Sequence, residues 1–146
     1  ISVKVLNSNI LDLYSGVGSF GIECISREAK QVSFVEKNVG TYQILLDNLD
    51  KLNITDKART FNQDIYDFLK IKKNTKYNIF FLDPPFSDNH FLKILKIIRE
   101  KYIFDKDHIV IIHREKKSIN NFQDFIKIIL TKEYGRSKIF FGVFTK

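Results

Sequence analysis

At 146 residues, 44% of them apolar and 28% charged, the chain is long enough for one domain with a sizeable core and too apolar for a disordered segment. No apolar run reaches the ~18 residues of a membrane span, no signal-peptide pattern opens the chain, and the single cysteine, Cys24, leaves no internal disulfide framework and fits a reducing cytosol. The net charge of +7 permits a polyanionic partner and equally a solvated lysine-rich surface. The sequence contains no methionine, so it reads as a fragment or processed chain that begins inside a longer protein.

In chain order, strands alternate with helices. "NILDLY" (9–14) is a short apolar strand, followed by the glycine turn "SGVGSFG" and a helix over 19–30. "QVSFVE" (31–36) is a second strand. Asn38 then caps a helix whose apolar positions Tyr42, Leu45, Leu46, Leu49 and Leu52 fall at helical spacing. A third strand runs over 58–64 with Asp64 at its exit, and "IYDFLK" forms a short helix. The apolar run 79–82 is a fourth strand, which ends in Asp83 and the only two prolines of the chain. Ser87 or Asp88 caps the next helix, with Phe91, Leu95, Ile98 and Tyr102 on one side, and "HIVIIH" (108–113) is a fifth buried strand. The tail reads as two strands around a turn at 134–137, an antiparallel hairpin. Repeats and linkers are absent from the sequence. One α/β domain over 1–146 is expected, with a mostly parallel, doubly wound sheet and helices on both faces.

In such sheets ligands bind beyond the carboxyl ends of the strands. An acid stands at or just after four of those ends: Asp12, Glu36, Asp64 and Asp83. Gly16, Gly18 and Gly21 match G-x-G-x-x-G, and Glu36 lies twenty residues beyond Gly16. That pattern serves a dinucleotide, and equally a nucleoside cofactor without a pyrophosphate. Asp12 tilts the balance between them, because an acid there repels a pyrophosphate but suits the amino end of a methionine moiety. Asp64 is placed to accept the exocyclic N–H of an adenine. The set fits S-adenosylmethionine (AdoMet) better than NAD. The histidines, His90, His108 and His113, show no metal-ligand spacing, and Cys24 reads as a core residue.

The stretches "LDLYSGVGSFGIECISREAKQVSFVEKN", "NQDIYDFL", "FFLDPPF" and "YGRSKIFF" occur in order along nearly the whole chain. Together they resemble the class I methyltransferases, and more narrowly the RsmD-like small-subunit ribosomal RNA guanine-N2 methyltransferases. The resemblance implies a Rossmann-like fold with a seven-stranded sheet. It assigns the cofactor to Asp12, Ser15, Gly16 and Gly18, its ribose to Glu36 and its adenine to Asp64 and Ile65. D-P-P-[FY] is the catalytic signature, here Asp83 to Phe86. Asp83 and the Pro84 carbonyl would each accept an N–H of a base amino group, and Phe86 would stack on the base with a gain of about 1–3 kcal/mol. Pro85 and Phe86, with Arg114, Lys116 and Arg136, are the candidate substrate contacts, and Lys117 and Lys138 lie nearby in sequence. The expected partner is RNA, 16S rRNA or a small-subunit particle, met by a cytoplasmic monomer without a metal. The family usually carries an N-terminal arm implicated in RNA binding, and this chain begins too late to include it. Two alternatives remain open here. One is an adenine-N6 methyltransferase, which shares D-P-P-[FY]. The other is a non-catalytic nucleotide-binding module or a dinucleotide oxidoreductase.

Overall fold

The structure, a computed structural model, describes residues 4–88, 90–118, 121–122 and 124–145. Seven strands form one sheet: β1 (Asn9–Leu13), β2 (Gln31–Val35), β3 (Ala58–Phe61), β4 (Tyr77–Leu82), β5 (Phe104–Glu115), β6 (Ile126–Tyr134) and β7 (Ser137–Phe144). Among the described residues four α-helices connect them: α1 (Ser19–Ser26), α2 (Val39–Lys51), α3 (Ile65–Lys70) and α4 (Phe91–Lys101). The strand order is β3-β2-β1-β4-β5-β7-β6. The pairings among β1 to β5 are parallel, whereas β7 runs antiparallel to both β5 and β6. The chain therefore winds outward from β1 through β2 to β3, then returns to the other side of β1. The β1/β4 boundary is the switch point, where the loops diverge and leave a crevice. Among the described residues no helix is long and apolar enough to cross a membrane.

Alternation along the central strands builds two cores. Ile10, Val32, Phe34, Ile79 and Ile109 pack with Cys24, Ile25, Leu45 and Leu49 of α1 and α2. Their neighbours Leu11, Leu13, Phe80, Leu82, Val110 and Ile112 pack with Phe68, Leu69, Phe91, Ile94, Leu95 and Ile98 of α3 and α4. Successive residues of a strand point to opposite faces, so both faces of the central strands are apolar and covered. Cys24 is a buried core thiol, as expected, and burial pushes its pKa up to about 12.

Several boundaries differ from the sequence reading. Helix α1 stops at Ser26 rather than Lys30. Glu28 takes a positive φ of 68°, with Glu28 N donating to Ile25 O and Ala29 N to Cys24 O, both at 3.0 Å. This is the paired C-terminal cap in which glycine is usual, so its signal was missing from the sequence. Asn38 caps α2 as expected, accepting from Thr41 N at 2.9 Å. Strand β3 ends at Phe61, because Asp64 turns to cap α3 and accepts from Tyr66 N at 2.8 Å. The N-cap position of α4 is His90, not Ser87 or Asp88. Asp88 instead accepts the His90 N–H at 2.7 Å. Tyr102 leaves the apolar face of α4 and forms its left-handed C-cap, exposed to solvent. Strand β5 is longer than expected and contains Arg114.

Gly21 marks the tightest approach of α1 to the sheet. A Cβ there would lie 2.3 Å from Phe34 Cε1 and 2.9 Å from Val32 Cγ1, and Phe34 is wholly buried. Alanine improves helix propensity by about 1 kcal/mol. Overpacking of this kind costs about 1–3 kcal/mol or more and wins at such distances. Gly21→Ala is expected to lower the calorimetric Tm by several degrees, and an unchanged or raised Tm would show that Phe34 has room to move.

Candidate active site

The crevice beyond β1, β2 and β4 holds a cavity of about 620 Å³. Its wall includes Glu36, Asp64 and Ile65 on one side and Asp83, Pro84, Pro85 and Phe86 on the other. The sheet thus joins residues that lie far apart in sequence, because β2, β1 and β4 are neighbours and each runs its carboxyl end into the same crevice.

The glycine turn connects β1 to α1. Tyr14, Gly16 and Gly18 take positive φ values of 58°, 57° and 95°. At Gly18 a Cβ would also meet Leu45 Cδ1 at 2.5 Å, so glycine is required there twice over. Glu36 braces this turn. Its Oε1 accepts from Gly16 N at 3.0 Å and its Oε2 from Asn38 N at 2.8 Å. Asp12, Ser15, Gly16 and Gly18 do not belong to the cavity wall. Asp12 is buried behind the turn, with Oδ2 accepting from Gly21 N at 3.2 Å. Its Oδ1 and the Ser15 Oγ are buried with no partner among the described residues. Burial raises the Asp12 pKa well above the usual carboxylate value. The Gly21 N–H opposes that rise, and the Asp83 and Glu36 charges add to it.

Asp83 and Phe86 are exposed, and Pro84 is buried. The loop is held by two consecutive residues of β5, which point to opposite faces of the sheet. His113 Nδ1 lies 2.7 Å from Asp83 Oδ1, and its Nε2 lies 2.7 Å from Ser137 Oγ. Arg114 donates from Nη1 to Pro85 O at 3.2 Å and from Nη2 to Phe86 O at 2.9 Å. Its guanidinium sits 4.5 Å from the centre of the Phe91 ring. Asp88 N donates to Pro85 O at 2.9 Å, which closes the loop as a turn. The Phe86 and His113 rings meet edge-to-face, with centroids 5.8 Å apart.

Arg114 is a correction. It was expected among the phosphate contacts, but its side chain is 1% exposed and its guanidinium is committed to loop carbonyls. It shapes the site from below. Lys116 and Arg136 are exposed outside the cavity wall, where Lys116 N donates to Arg136 O and Lys116 Nζ lies 3.4 Å from Glu133 Oε2. Lys138 Nζ lies 3.8 Å from the same carboxylate. His113, Ser137, Tyr14 and Gln63 were not among the candidate site residues. The histidines had been weighed only as metal ligands. The signal for His113 was its place at the end of the strand beside β4: Leu82 pairs with Ile112, which brings His113 level with Asp83. Among the described residues no group of three or more His, Cys, Asp or Glu side chains could hold a metal ion.

The strand order, the hairpin and the crevice at the switch point define a class I methyltransferase fold. Solved structures agree. HI0767 from Haemophilus influenzae matches with a TM-score of 0.81 and 28% identity over 94% of this chain and 87% of that one. SMU.776, crystallised with S-adenosylhomocysteine (SAH), matches with a TM-score of 0.78 and 13% identity over 96% of this chain and 46% of that one. The family described as Conserved hypothetical protein 95 matches residues 1–143, so the chain belongs to that family, the RsmD family. Among curated relatives, the ribosomal RNA small subunit methyltransferase D of Buchnera aphidicola subsp. Acyrthosiphon pisum is 32% identical over 80% of this chain and 61% of its own length. The protein of the same name from Haemophilus influenzae is 33% identical over 75% of this chain and 58% of its own length. The chain thus spans about three fifths of the length of these two relatives.

Proposed function

We propose that this chain carries the cofactor and chemical sites of an AdoMet-dependent methyltransferase acting on an exocyclic base amino group, guanine N2 of 16S rRNA, as a cytoplasmic monomer. One observation carries the reading: Asp83-Pro84-Pro85-Phe86 and the Glu36/Asp64 pair line the same cavity. Relatives named as rRNA methyltransferases support the substrate class. The residues present fit AdoMet. Glu36 offers carboxylate acceptors for ribose hydroxyls, and Asp64 beside Ile65 offers one for an adenine amino group. Asp12 Oδ1 and Ser15 Oγ lie outside the cavity wall, each buried without a partner among the described residues, and each could accept from an ammonium group brought to the glycine turn. When bound, AdoMet supplies the electrophilic methyl group.

The chain's own residues then handle the nucleophile. The lone pair of a base amino nitrogen is delocalised into the ring, which makes it a poor nucleophile. Asp83 and the Pro84 carbonyl accept its two N–H groups and localise that pair. The prolines and the Arg114 clamp hold the acceptors before substrate arrives, so no reorganisation is needed in the transition state. Phe86 supplies a stacking face for a base turned out of its structure.

The test is product analysis on small-subunit rRNA with the full-length protein. N2-methylguanosine is expected, and N6-methyladenosine or no transfer would overturn the reading. Cofactor assignment is checked separately on this chain by calorimetry with SAH against NAD. Glu36→Ala should weaken SAH binding by roughly 1–3 kcal/mol, because acceptors for ribose hydroxyls are lost. Unchanged affinity would show that the ribose lies elsewhere.

RNA binding is expected to fall steeply with salt, because Lys116, Lys117, Arg136 and Lys138 cluster around the β6–β7 turn and phosphate contacts release counterions. Binding constants measured from about 50 to 200 mM salt check this, and a flat profile would assign the charge to a solvated surface.

A further inference from the structure

The RsmD reading uses the D-P-P-F loop and the cofactor acids. It leaves unexplained a chain of three polar side chains that crosses three adjacent strands. Asp83 follows β4, His113 stands near the end of β5, and Ser137 opens β7. Each link is 2.7 Å long. We propose that His113 is a positioning residue that acts through Asp83, its tautomer set by the acceptor-only carboxylate and its ring braced by Ser137.

The protonation pattern follows from the inventory of donors. An ionised carboxylate only accepts, so the hydrogen in the Asp83 link belongs to His113 Nδ1. In the neutral ring Nε2 is then an acceptor, and the Ser137 hydroxyl donates to it. The direction runs one way: Ser137 Oγ–H to Nε2, and Nδ1–H to Asp83 Oδ1. This is the logic by which a third group orients an imidazole in a hydrolytic triad, used here in reverse. There the carboxylate orients the ring for chemistry. Here the serine orients the ring, and the ring orients the carboxylate.

The consequence concerns which oxygen meets the base. Asp83 is exposed and stands on a loop, so no packed neighbour among the described residues fixes its carboxylate. The bond from Nδ1–H occupies Oδ1 and pins the rotamer, leaving Oδ2 as the acceptor for the substrate amino group. The same ring meets the Phe86 ring edge-to-face at 5.8 Å, so one side chain registers both the acceptor and the stacking surface. Arg114, on the opposite face, fixes the loop backbone through Pro85 O and Phe86 O. Backbone and carboxylate are thus held by separate residues, and their loss should have separate signatures.

This inference rests on the methyl-transfer reading, but its first test does not. In this chain, the long-range 15N spectrum of the His113 imidazole, taken at a pH where the ring is neutral, should show the Nδ1–H tautomer. Asp83→Ala should abolish that preference. A parent ring protonated on Nε2, or a spectrum indifferent to Asp83→Ala, would overturn the proposal. The second test compares two variants of the full-length protein. His113→Phe keeps a ring beside Phe86 and removes the donor. It should lower kcat by roughly tenfold to a hundredfold, as when a reacting group is misplaced by about 1 Å, with the KM for AdoMet within about twofold. His113→Asn places an amide N–H where Nδ1–H stood and should recover most of the loss. Equal losses in both variants, an unaffected kcat in His113→Phe, or a loss confined to KM would refute it. If the parent protein transfers no methyl group, the methyltransferase reading fails, and the tautomer spectrum still decides the role of His113.

Discussion

Asp83→Asn is expected to lower the turnover of the full-length protein by about 100-fold or more, as when one preorganised electrostatic contact is removed. Asparagine keeps the size of the side chain and one carbonyl acceptor. It loses the charge, and its amide nitrogen competes for the place beside His113 Nδ1. Where the carbonyl oxygen faces His113, the NH₂ group faces the base, donor against donor. Where it faces the base, the His113 bond is lost. Either arrangement fails to localise the lone pair. Asp83 follows β4 and Glu36 follows β2, on either side of β1, so calorimetry should find SAH affinity nearly unchanged. The pairing with Glu36→Ala gives the contrast its force, since that variant should impair binding of the cofactor before chemistry. Near-normal turnover in Asp83→Asn would return the proline loop to the role of a plain strand terminator.

Arg114→Met is expected to be the most destabilising change at the site. The methionine fills much of the same volume and stays beside Phe91, so packing is largely kept. The carbonyls of Pro85 and Phe86 lose their guanidinium donor beneath the loop. Pro85 O keeps the Asp88 N–H, so the cost centres on Phe86 O, and about 1–3 kcal/mol is expected in urea unfolding. Turnover should fall with it, because the backbone acceptor at Pro84 is no longer preorganised. Arg114→Lys should rescue little, since one ammonium replaces the two-pronged grip of the guanidinium poorly. Wild-type stability in Arg114→Met would mean that the loop holds its shape by proline stiffness alone.

Most of the architecture was legible in order of residues, and for simple reasons. Apolar runs such as Ile79 to Leu82 with short polar breaks mark strands covered on both faces. The Asn38 cap and the spacing of Leu45 and Leu49 mark α2. Glycines in a turn that needs left-handed backbone mark the crevice. Local stereochemistry writes each of these into a few neighbouring residues. The helix stop at Glu28 escaped because a glutamate occupies a left-handed position where glycine is the usual sign. The loss of Tyr102 from the apolar face escaped because the cap geometry at the end of α4 decides it, not the spacing.

The site divides in the same way. The sequence alone determined the four acids at strand exits, the glycine turn and the proline loop, because each is a local motif whose residue types limit its chemistry. Tertiary structure decided which of them share a cavity. It put Glu36, Asp64 and Asp83 around one space and left Asp12 and Ser15 buried outside its wall. It also turned Arg114 from a presumed phosphate contact into a buried clamp, and brought His113 and Ser137 to Asp83. The physical reason is the sheet. Adjacency of β4, β5 and β7, and the register that sets Ile112 beside Leu82, are products of non-local pairing. A two-residue period sends His113 to one face and Arg114 to the other, and only the assembled strands show what each face meets.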